Sequence, residues 1–228
     1  EETSLFKAEL LHSLNADRPY QWVKGFLTDN PVPWVITLTG TDYNSWCGKS
    51  APPYHIRESL ERAGALVVFH EGAFQSLHGC LPSLAKKIRV IPQGVSYSDT
   101  KQDVLKLRGE IGIGAHDIVF LMVSSIRPVK NLGAAIEAFS EVEKKLPNVR
   151  LLLIGPVWNQ EEGPRILEMG QRLRCFSYLG EKPPSEVRKF MAASDIFLNT
   201  SLNEGMSGAI LEAMAEGLPI LASSIEGN

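Results

Sequence analysis

Apolar positions along the chain alternate between short continuous runs and longer amphipathic stretches. Continuous apolar runs are typical of strands that are buried on both faces of a sheet. In the second half they predict strands at 118–125, 149–155, 174–180, 195–201 and 218–224. Between these strands the pattern predicts helices at 130–146, 163–173, 184–194 and 208–216. Strands and helices in this strict alternation predict a parallel sheet covered by helices on both faces.

The first half shows the same alternation more weakly. It predicts strands at 8–12, 34–40, 65–70 and 87–95, and helices at 18–27 and 55–64. A polar, charged stretch follows at 96–117, and we place a domain boundary near Ser96. The fold expected is therefore α/β, with two Rossmann-like domains that face a cleft. The first would cover residues 1–96 and the second residues 97–228.

Composition narrows the function without defining it. The 228 residues carry a formal net charge of −3, which gives no support for a nucleic-acid partner. No run reaches the length and apolarity of a membrane span. Cys47, Cys80 and Cys175 are far apart and form no C-x-x-C pair, which favours a reducing compartment, expected to be the cytoplasm. The acidic start lacks an initiator Met and a secretory signal, and the end stops after a strand-like run, so we expect a fragment trimmed at both ends.

Several common chemistries have no motif here. The sequence contains no D-x-D pair, no H-E-x-x-H and no Cys/His ligand set, so no metal site is predicted. The glycines of GEIGIG (109–114) precede a strand and do not open a helix, so they fail as a dinucleotide-binding loop. No G-x-S-x-G elbow is present for a hydrolase.

The segment NEGMSGAILEAMAEG (203–217) carries the most chemistry. Its glycine-bearing turn precedes a helix, and free amides at a helix N-terminus form an anion site that small residues open to a phosphate. Glu212 would follow those amides by roughly 6–8 Å, about the reach from a nucleotide's phosphate to its ribose. Glu204, in the turn, could face a group beyond the phosphate. The alternative is that Glu212 and Glu216 mark the solvated face of a half-buried helix.

Six stretches of the chain resemble, in order, the family-4 retaining glycosyltransferases of the glycosyl transferases group 1. The most specific is 203–223, which carries the E-x7-E segment and the strand after it. VSSIRPVKN resembles the family's G-R-L-x-x-x-K turn, LLLIGP its second strand and YLGE its nucleobase loop. In the first half, KKIRVIPQGV resembles I-P-N-G-V, and WVITLTGTDYN resembles the H-G-x-D region. Within the family, the pattern is similar to a subgroup that includes the glycosyltransferase-1-domain-containing protein of animals and bacterial selenosugar synthases.

This resemblance implies a GT-B fold, both of whose domains would be truncated here, and a metal-independent transferase that needs no cofactor. The donor would be a nucleotide-diphosphate sugar, UDP- or GDP-linked, and the acceptor is unknown. Glu212 would bind the donor ribose, Glu204 would lie at the sugar, and Lys130 would neutralise the leaving diphosphate. Diphosphate and sugar would be held by the amides of Gly205, Met206, Ser207 and Gly208, and the base flanked by Leu179, Gly180 and Glu181. The alternative for Lys130 is a solvated residue before a helix.

Two departures from the family pattern fall in the donor half. Ser125 stands where the family usually has Arg, and a serine cannot supply that charge. Arg127 could reach the same phosphate, because guanidinium groups suit phosphates, or it could be a surface arginine on the turn. Met206 and Ser207 replace the commoner Phe-Gly; Met is tolerable in an adaptable wall, and Ser207 can still cap the helix.

The acceptor side is less defined. Gly40, Thr41 and Asp42 form the G-T-D turn, in which Asp42 could orient an acceptor hydroxyl or serve an Asx turn. Thr39 stands where many members have His. His12, at the end of its predicted strand, could line the cleft or be an ordinary satisfied histidine.

Two other functions stay open. One is a nucleotide-sugar-binding pseudoenzyme or truncated interaction domain, which Ser125, Thr39 and the expected truncation favour. The other, weaker, is a GT-B epimerase. The sequence leaves the oligomeric state open.

Overall fold

Two parallel β-sheets, each with its own apolar core, organise the chain. The structure is a computed structural model that describes residues 8–95 and 104–228. Its contacts divide the chain into two units. The first consists of Glu1–Gln93, Asn203–Met206 and Gly227, and the second of Gly94–Leu202, Ser207–Glu226 and Asn228. The domain boundary predicted at residues 96 and 97 lies outside the described residues.

The first unit contains a four-stranded parallel sheet in the order β1-β2-β3-β4. Its core is fully enclosed: Ile36, Leu60 and Leu66 have no exposed surface. All four predicted strands are present, though shorter than predicted. The elements are β1 (Leu11–Leu14), α1 (Tyr20–Asp29), β2 (Trp34–Thr37), α2 (Tyr54–Arg62), β3 (Ala65–Val68), α3 (Glu71–Cys80) and β4 (Ile88–Val90).

Helix α3 was not predicted. Its buried residues Ala73 and Leu77 recur at helical spacing, but Gly72 and Gly79 weaken the pattern at each end. His70 begins the helix, since its Nδ1 accepts the Ala73 N–H at 3.2 Å. A histidine cap of this kind is less easily read from sequence than a Ser or Asp cap.

The second unit contains a five-stranded parallel sheet in the order β7-β6-β5-β8-β9. Strand order therefore reverses between β5 and β8, and in such doubly wound sheets this switch point is where ligands bind. The strands are β5 (Ile118–Val123), β6 (Val149–Ile154), β7 (Phe176–Tyr178), β8 (Ile196–Asn199) and β9 (Ile220–Ala222). The helices are α4 (Val104–Glu110), α5 (Leu132–Lys145), α6 (Glu162–Gln171), α7 (Pro184–Ala192) and α8 (Gly208–Ala215). Every strand and helix predicted for this half is confirmed.

Helix α4 lies in the stretch that the sequence analysis treated as a polar boundary. It is held to the second unit by Arg108, which is 8% exposed. Arg108 Nε donates to the Ala193 carbonyl at 2.9 Å, and Nη2 donates to Asp195 Oδ2 at 2.7 Å. Val104 and Leu105 of this helix are exposed while Arg108 is buried, so the apolar residues do not mark the buried face, which explains why the helix was missed.

Strand register places the loops of the second sheet at one edge. Strands β5 and β6 pair from Ile118↔Val149 to Val123↔Ile154, so both end at the same level. Strand β7 pairs beside β6 up to Leu153↔Tyr178. The segments after these three strands therefore begin side by side. Within the described ranges, no helix is long and apolar enough to cross a membrane.

Candidate donor site

A cavity of about 350 Å³ opens where β5, β6 and β7 end. Three loops contribute to its wall, one after each strand. Among the lining residues are Ser124, Ser125, Arg127, Lys130, Gly155, Trp158, Glu181 and Lys182. Four of these residues appear in the sequence analysis. Arg127, Lys130 and Glu181 were predicted to contact the donor, and Ser125 was noted as standing where the family usually has Arg. The structure brings them into one cavity.

Lys130 is positioned by a short turn between β5 and α5. Residues Pro128–Lys130 form a 3₁₀ turn, and Asn131 adopts a left-handed conformation with φ 49° before α5 begins. The Lys130 carbonyl accepts a hydrogen bond from Thr200 Oγ1 at 3.0 Å. Because Thr200 directly follows β8, this bond ties the β5 loop to the other strand at the switch point.

The cavity wall carries an excess of positive charge. Arg127, Lys130 and Lys182 contribute three cations, against one carboxylate from Glu181. The Arg127 guanidinium carbon lies 5.1 Å from the centroid of the Trp158 ring, a cation–π contact that holds the side chain over the loop after β6. Lys182 Nζ lies 3.7 Å from Glu186 Oε2. This charge balance suits a phosphate group.

Backbone packing at the floor of the cavity depends on Gly155. Its φ is +147°, and a Cβ there would lie 2.1 Å from the Ser124 carbonyl oxygen. The Tyr178 hydroxyl donates to the Gly155 carbonyl at 2.8 Å. Burial raises the pKa of Tyr178, and the nearby Glu181 carboxylate raises it further, so the hydroxyl keeps its proton. Gly155 thus packs directly against the end of β5 and is hydrogen-bonded to the end of β7. Because it has no side chain, the cavity above it stays open.

Helix α8 begins beside β8 with a buried serine cap. Ser207 Oγ accepts from the Ile210 N–H at 3.4 Å and from Asn199 Nδ2 at 3.1 Å. The cap predicted for Ser207 is therefore confirmed. Glu212 is half-buried in the second turn of α8, and its carboxylate makes no hydrogen bond or ion pair with residues 8–95 or 104–228. Gly208 opens the helix, and Glu216 is the C-cap residue.

Glu204, Gly205 and Met206 belong to the first unit, with the loop after β2. Gly205 and Gly40 lie against each other: a Cβ on Gly40 would come within 2.4 Å of the Gly205 nitrogen. Asn44 Nδ2 donates to Asn203 Oδ1 at 2.6 Å. The two predicted acids of the E-x7-E segment are thus placed in different units.

Asp42 is buried, with 1% of its surface exposed. Its Oδ1 accepts from the Thr39 N–H at 3.0 Å, and its Oδ2 accepts from the Ala16 N–H at 2.9 Å. Burial raises the pKa of this carboxyl, against the lowering effect of those N–H donors. Both carboxylate oxygens are thus bound to backbone N–H groups of the protein, which gives Asp42 a role in holding this loop to the loop after β1. The donors lie at Thr39 and Ala16, so the contacts are not those of an Asx turn, whose donor lies two residues after the Asp.

Asn15, which was not predicted, organises the same loop. It has φ +77°, and its Nδ2 donates to Thr39 Oγ1 at 2.8 Å and to Thr41 Oγ1 at 3.3 Å. Asn15 directly follows β1 as observed but lies three residues beyond the end of the predicted strand at 8–12, so the predicted bounds gave no signal for it. The amide therefore ties the end of β1 to the loop after β2.

The predicted position of His12 at a strand end is wrong. Strand β1 continues to Leu14, so His12 lies before the carboxyl end of the sheet, where ligands would bind. Its Nε2 lies 2.8 Å from Thr37 Oγ1 on β2, at hydrogen-bond distance. The alternative of an ordinary satisfied histidine fits this contact.

Sequence reasoning missed Trp158, Lys182 and Ser124 as cavity residues. Lys182 follows the predicted base-flanking turn by one residue, and Ser124 precedes Ser125, so both could have been included by position. Trp158 lies two residues beyond the predicted turn after β6. Its partner Arg127 is distant in sequence, so no local pattern pointed to it.

Comparison with known proteins defines the class. The glycosyl transferases group 1 family matches residues 103–228, more than half of the chain. The chain belongs to this family, whose members are glycosyltransferases of the EC 2.4 class.

Individual relatives agree with this assignment. Glycosyltransferase 1 domain-containing protein 1 of Xenopus tropicalis is 29% identical over 207 residues, which is 89% of this chain and 60% of the relative. N-acetyl-alpha-D-glucosaminyl L-malate synthase of Bacillus anthracis is 26% identical over 85% of the chain and 50% of its own length. The chain thus spans about half to three fifths of these relatives.

Solved structures confirm the fold. HepE of Anabaena, crystallised with UDP-glucose, matches with a TM-score of 0.79 at 20% identity, over 96% of this chain and 60% of its own. WaaG, a glycosyltransferase involved in lipopolysaccharide biosynthesis, matches with a TM-score of 0.71 over 91% of this chain and 64% of its own. The α/β fold with two parallel sheets is therefore that of GT-B glycosyltransferases.

Proposed function

We propose that the protein is a retaining glycosyltransferase that moves a sugar from a UDP- or GDP-linked donor to an acceptor still to be identified. The observation that carries this proposal is the cavity at the carboxyl ends of β5, β6 and β7, beside the switch point of the second sheet. It combines three cations with a glycine floor, next to the strand that leads into helix α8. That combination suits the diphosphate of a nucleotide sugar, which carries the nucleoside on one side and the sugar on the other.

The second unit would bind the nucleotide half of the donor. Lys130 and Arg127 would contact the diphosphate, and Lys182, in the loop after β7, adds a third cation to the same wall. Glu212 would accept from the ribose hydroxyls, because its carboxylate is half-buried and has no partner among the described residues. Leu179, Gly180 and Glu181 would flank the base.

Charge neutralisation would be the main catalytic contribution. Breaking the glycosidic bond leaves negative charge on the departing phosphate oxygen, and a cation held in place stabilises that charge most strongly in the transition state. The cavity cations would supply this charge without a divalent ion, so metal independence is part of the proposal. Glu204 is proposed to contact the donor sugar, and Gly205 to Gly208 to hold sugar and diphosphate through their amides.

The test is release of the nucleotide diphosphate from UDP- and GDP-linked hexoses by the full-length protein, with and without EDTA. We expect turnover that EDTA does not abolish. Lys130→Ala should lower it by roughly 10²–10³-fold, the range for loss of one transition-state charge contact. Lys189→Ala, which removes an exposed lysine on α7, is the matched control and should leave turnover unchanged.

A binding protein without transferase activity is the second candidate. The observation that favours it is Ser125, an uncharged residue in the cavity wall where the family usually has Arg. If the wild type binds a nucleotide diphosphate but releases no sugar, and Lys130→Ala changes nothing, this second function replaces the first.

A further inference from the structure

Cys47 and Cys80 of the first unit are joined by a disulfide, although 33 residues separate them in sequence. Their Cα atoms are 5.8 Å apart, within the usual range for disulfides. In the sequence the three cysteines are far apart and form no C-x-x-C pair, so no local spacing predicts this bond. Only the packing of α3 beside the loop after β2 brings this pair together.

The bond fastens a loop that has little regular structure of its own. Residues 40–50 form successive turns, with Cys47 N–H bonded to the Tyr43 carbonyl at 2.9 Å. The neighbouring Trp46 is 2% exposed, and its Nε1 donates to the Asp42 carbonyl at 2.9 Å. At the other end, Cys80 is the last residue of α3. The disulfide therefore ties the G-T-D loop to a helix.

One of the two cysteines, Cys80, lies at a cavity that is open to solvent. Both cysteines are half-buried, and Cys80 forms part of the wall of an open cavity of about 430 Å³. The same wall contains Lys49 and Arg57, and the Gly48 N–H donates to Cys80 Sγ at 3.1 Å. Disulfide exchange needs the approach of a small thiolate or a small disulfide to the protein sulfurs, and the open cavity beside Cys80 provides that approach.

Cys175 provides the contrast within the chain. It is free and 4% exposed in the core of the second unit. Burial, reinforced by the Glu143 carboxylate, raises the pKa of this thiol to about 11. Cys175 therefore stays protonated near neutral pH and is enclosed by apolar side chains, so it does not take part in exchange.

We propose that Cys47 and Cys80 are a reversible thiol–disulfide modification site that orders the loop over residues 40–52. The oxidant is a small-molecule disulfide. One protein thiolate attacks it, forms a mixed disulfide and releases the first small thiol; the second protein thiolate then displaces the second small thiol. The protein loses two electrons and two protons, and the small disulfide is reduced to two thiols. This inference does not depend on the proposed function.

The first measurement is chemical. The full chain is incubated in oxidised or reduced glutathione, alkylated, and digested for mass spectrometry. Oxidised glutathione should yield a peptide pair cross-linked through Cys47 and Cys80, lighter than the dithiol pair by two hydrogen atoms. Reduced glutathione should make both cysteines alkylatable, while Cys175 stays unmodified in the folded protein in both buffers.

The second measurement is hydrogen exchange of the same samples. Reduction should speed exchange in the peptide over 40–52 by at least about tenfold and leave the β5 peptide unchanged. Cys80→Ser should exchange fast in both buffers, and Cys175→Ala should respond as the wild type does. If Cys80→Ser does not fold, the comparison of hydrogen exchange between the oxidised and the reduced wild type still tests the proposal. The proposal is overturned if no cross-linked peptide forms, if each cysteine carries its own glutathione, if reduced glutathione fails to open the bond, or if exchange over 40–52 is the same in both buffers.

Discussion

Arg127 shows how one side chain depends on a neighbour for its position. It lies on the turn after β5, and its guanidinium stacks on Trp158 from the loop after β6. Since an arginine loses much rotamer freedom when it binds a phosphate, a platform that limits this freedom beforehand lowers the entropy cost. Arg127 can in this way supply the positive charge that Ser125, at the position where the family usually has Arg, does not carry.

Trp158→Ala tests this dependence. Removing the ring should weaken nucleotide diphosphate binding about 2–5-fold, corresponding to about 0.5–1 kcal/mol for an exposed cation–π contact. Isothermal titration calorimetry measures the change. Trp22→Ala is the control, since Trp22 is a similarly exposed indole that stacks on Phe26 in the first unit. Equal affinity for Trp158→Ala and wild type would show that the stacking does not position Arg127 for binding.

Cys175 makes stability depend on pH in the alkaline range. The unfolded thiol loses its proton near 9.0, whereas the folded thiol keeps it to about 11. The unfolded state alone therefore gains from ionisation between these values, and stability falls as the pH rises through this window. We expect a loss of up to about 2 kcal/mol that Cys175→Ala does not show, measured by urea unfolding at pH 8 to 11. Parallel curves for the two proteins would contradict the assignment.

At the scale of elements, α4 depends on one ion pair, in which the arginine is buried and the aspartate is exposed. The Arg108 side chain is 10% exposed and its partner Asp195 is 43% exposed. Asp195 Oδ2 also accepts the Val119 N–H at 2.8 Å, so the pair links α4 to β5 and to the start of β8.

Arg108→Ala should therefore destabilise the protein by about 1–3 kcal/mol, since it leaves the buried Ala193 carbonyl without its side-chain donor. Denaturant unfolding followed by circular dichroism measures this. Arg172→Ala, which breaks the exposed pair with Glu168, should cost under about 0.5 kcal/mol. If both variants unfold at the same denaturant concentration, the pair does not anchor α4.

Sequence predicted the elements whose apolar pattern is strong. The buried strands β5, β6 and β8 and the stripe of α5 follow directly from continuous or helical apolar spacing. Helices α3 and α4 were missed because glycines interrupt one and a buried arginine anchors the other. Lys130 and Glu181 were named from motifs and Arg127 from its place in the turn, whereas Trp158 and the Cys47–Cys80 pair depend on contacts between residues far apart in the chain. Such contacts have no local pattern to reveal them.

At the scale of the whole molecule, the second unit carries most of the evidence for function. It contains the switch point, the cationic cavity and nearly all of the family match at 103–228. The first unit has its own sheet and core and carries the G-T-D loop with Glu204 and Gly205. The chain spans about three fifths of a relative such as the Xenopus protein. Binding of a nucleotide to the second unit is therefore the part of the proposed function that can be measured with this chain alone.

The most direct measurement is binding of UDP and of GDP to the wild type, Glu212→Gln and Glu216→Gln by titration calorimetry. We predict that one of the two nucleotides binds the wild type. Glu212→Gln should weaken that binding by about 10–100-fold, the loss of a charged hydrogen-bond acceptor. Glu216→Gln, four residues on in the same segment, should bind as the wild type does. If neither nucleotide binds, or if Glu212→Gln retains wild-type affinity, the donor-site assignment is wrong.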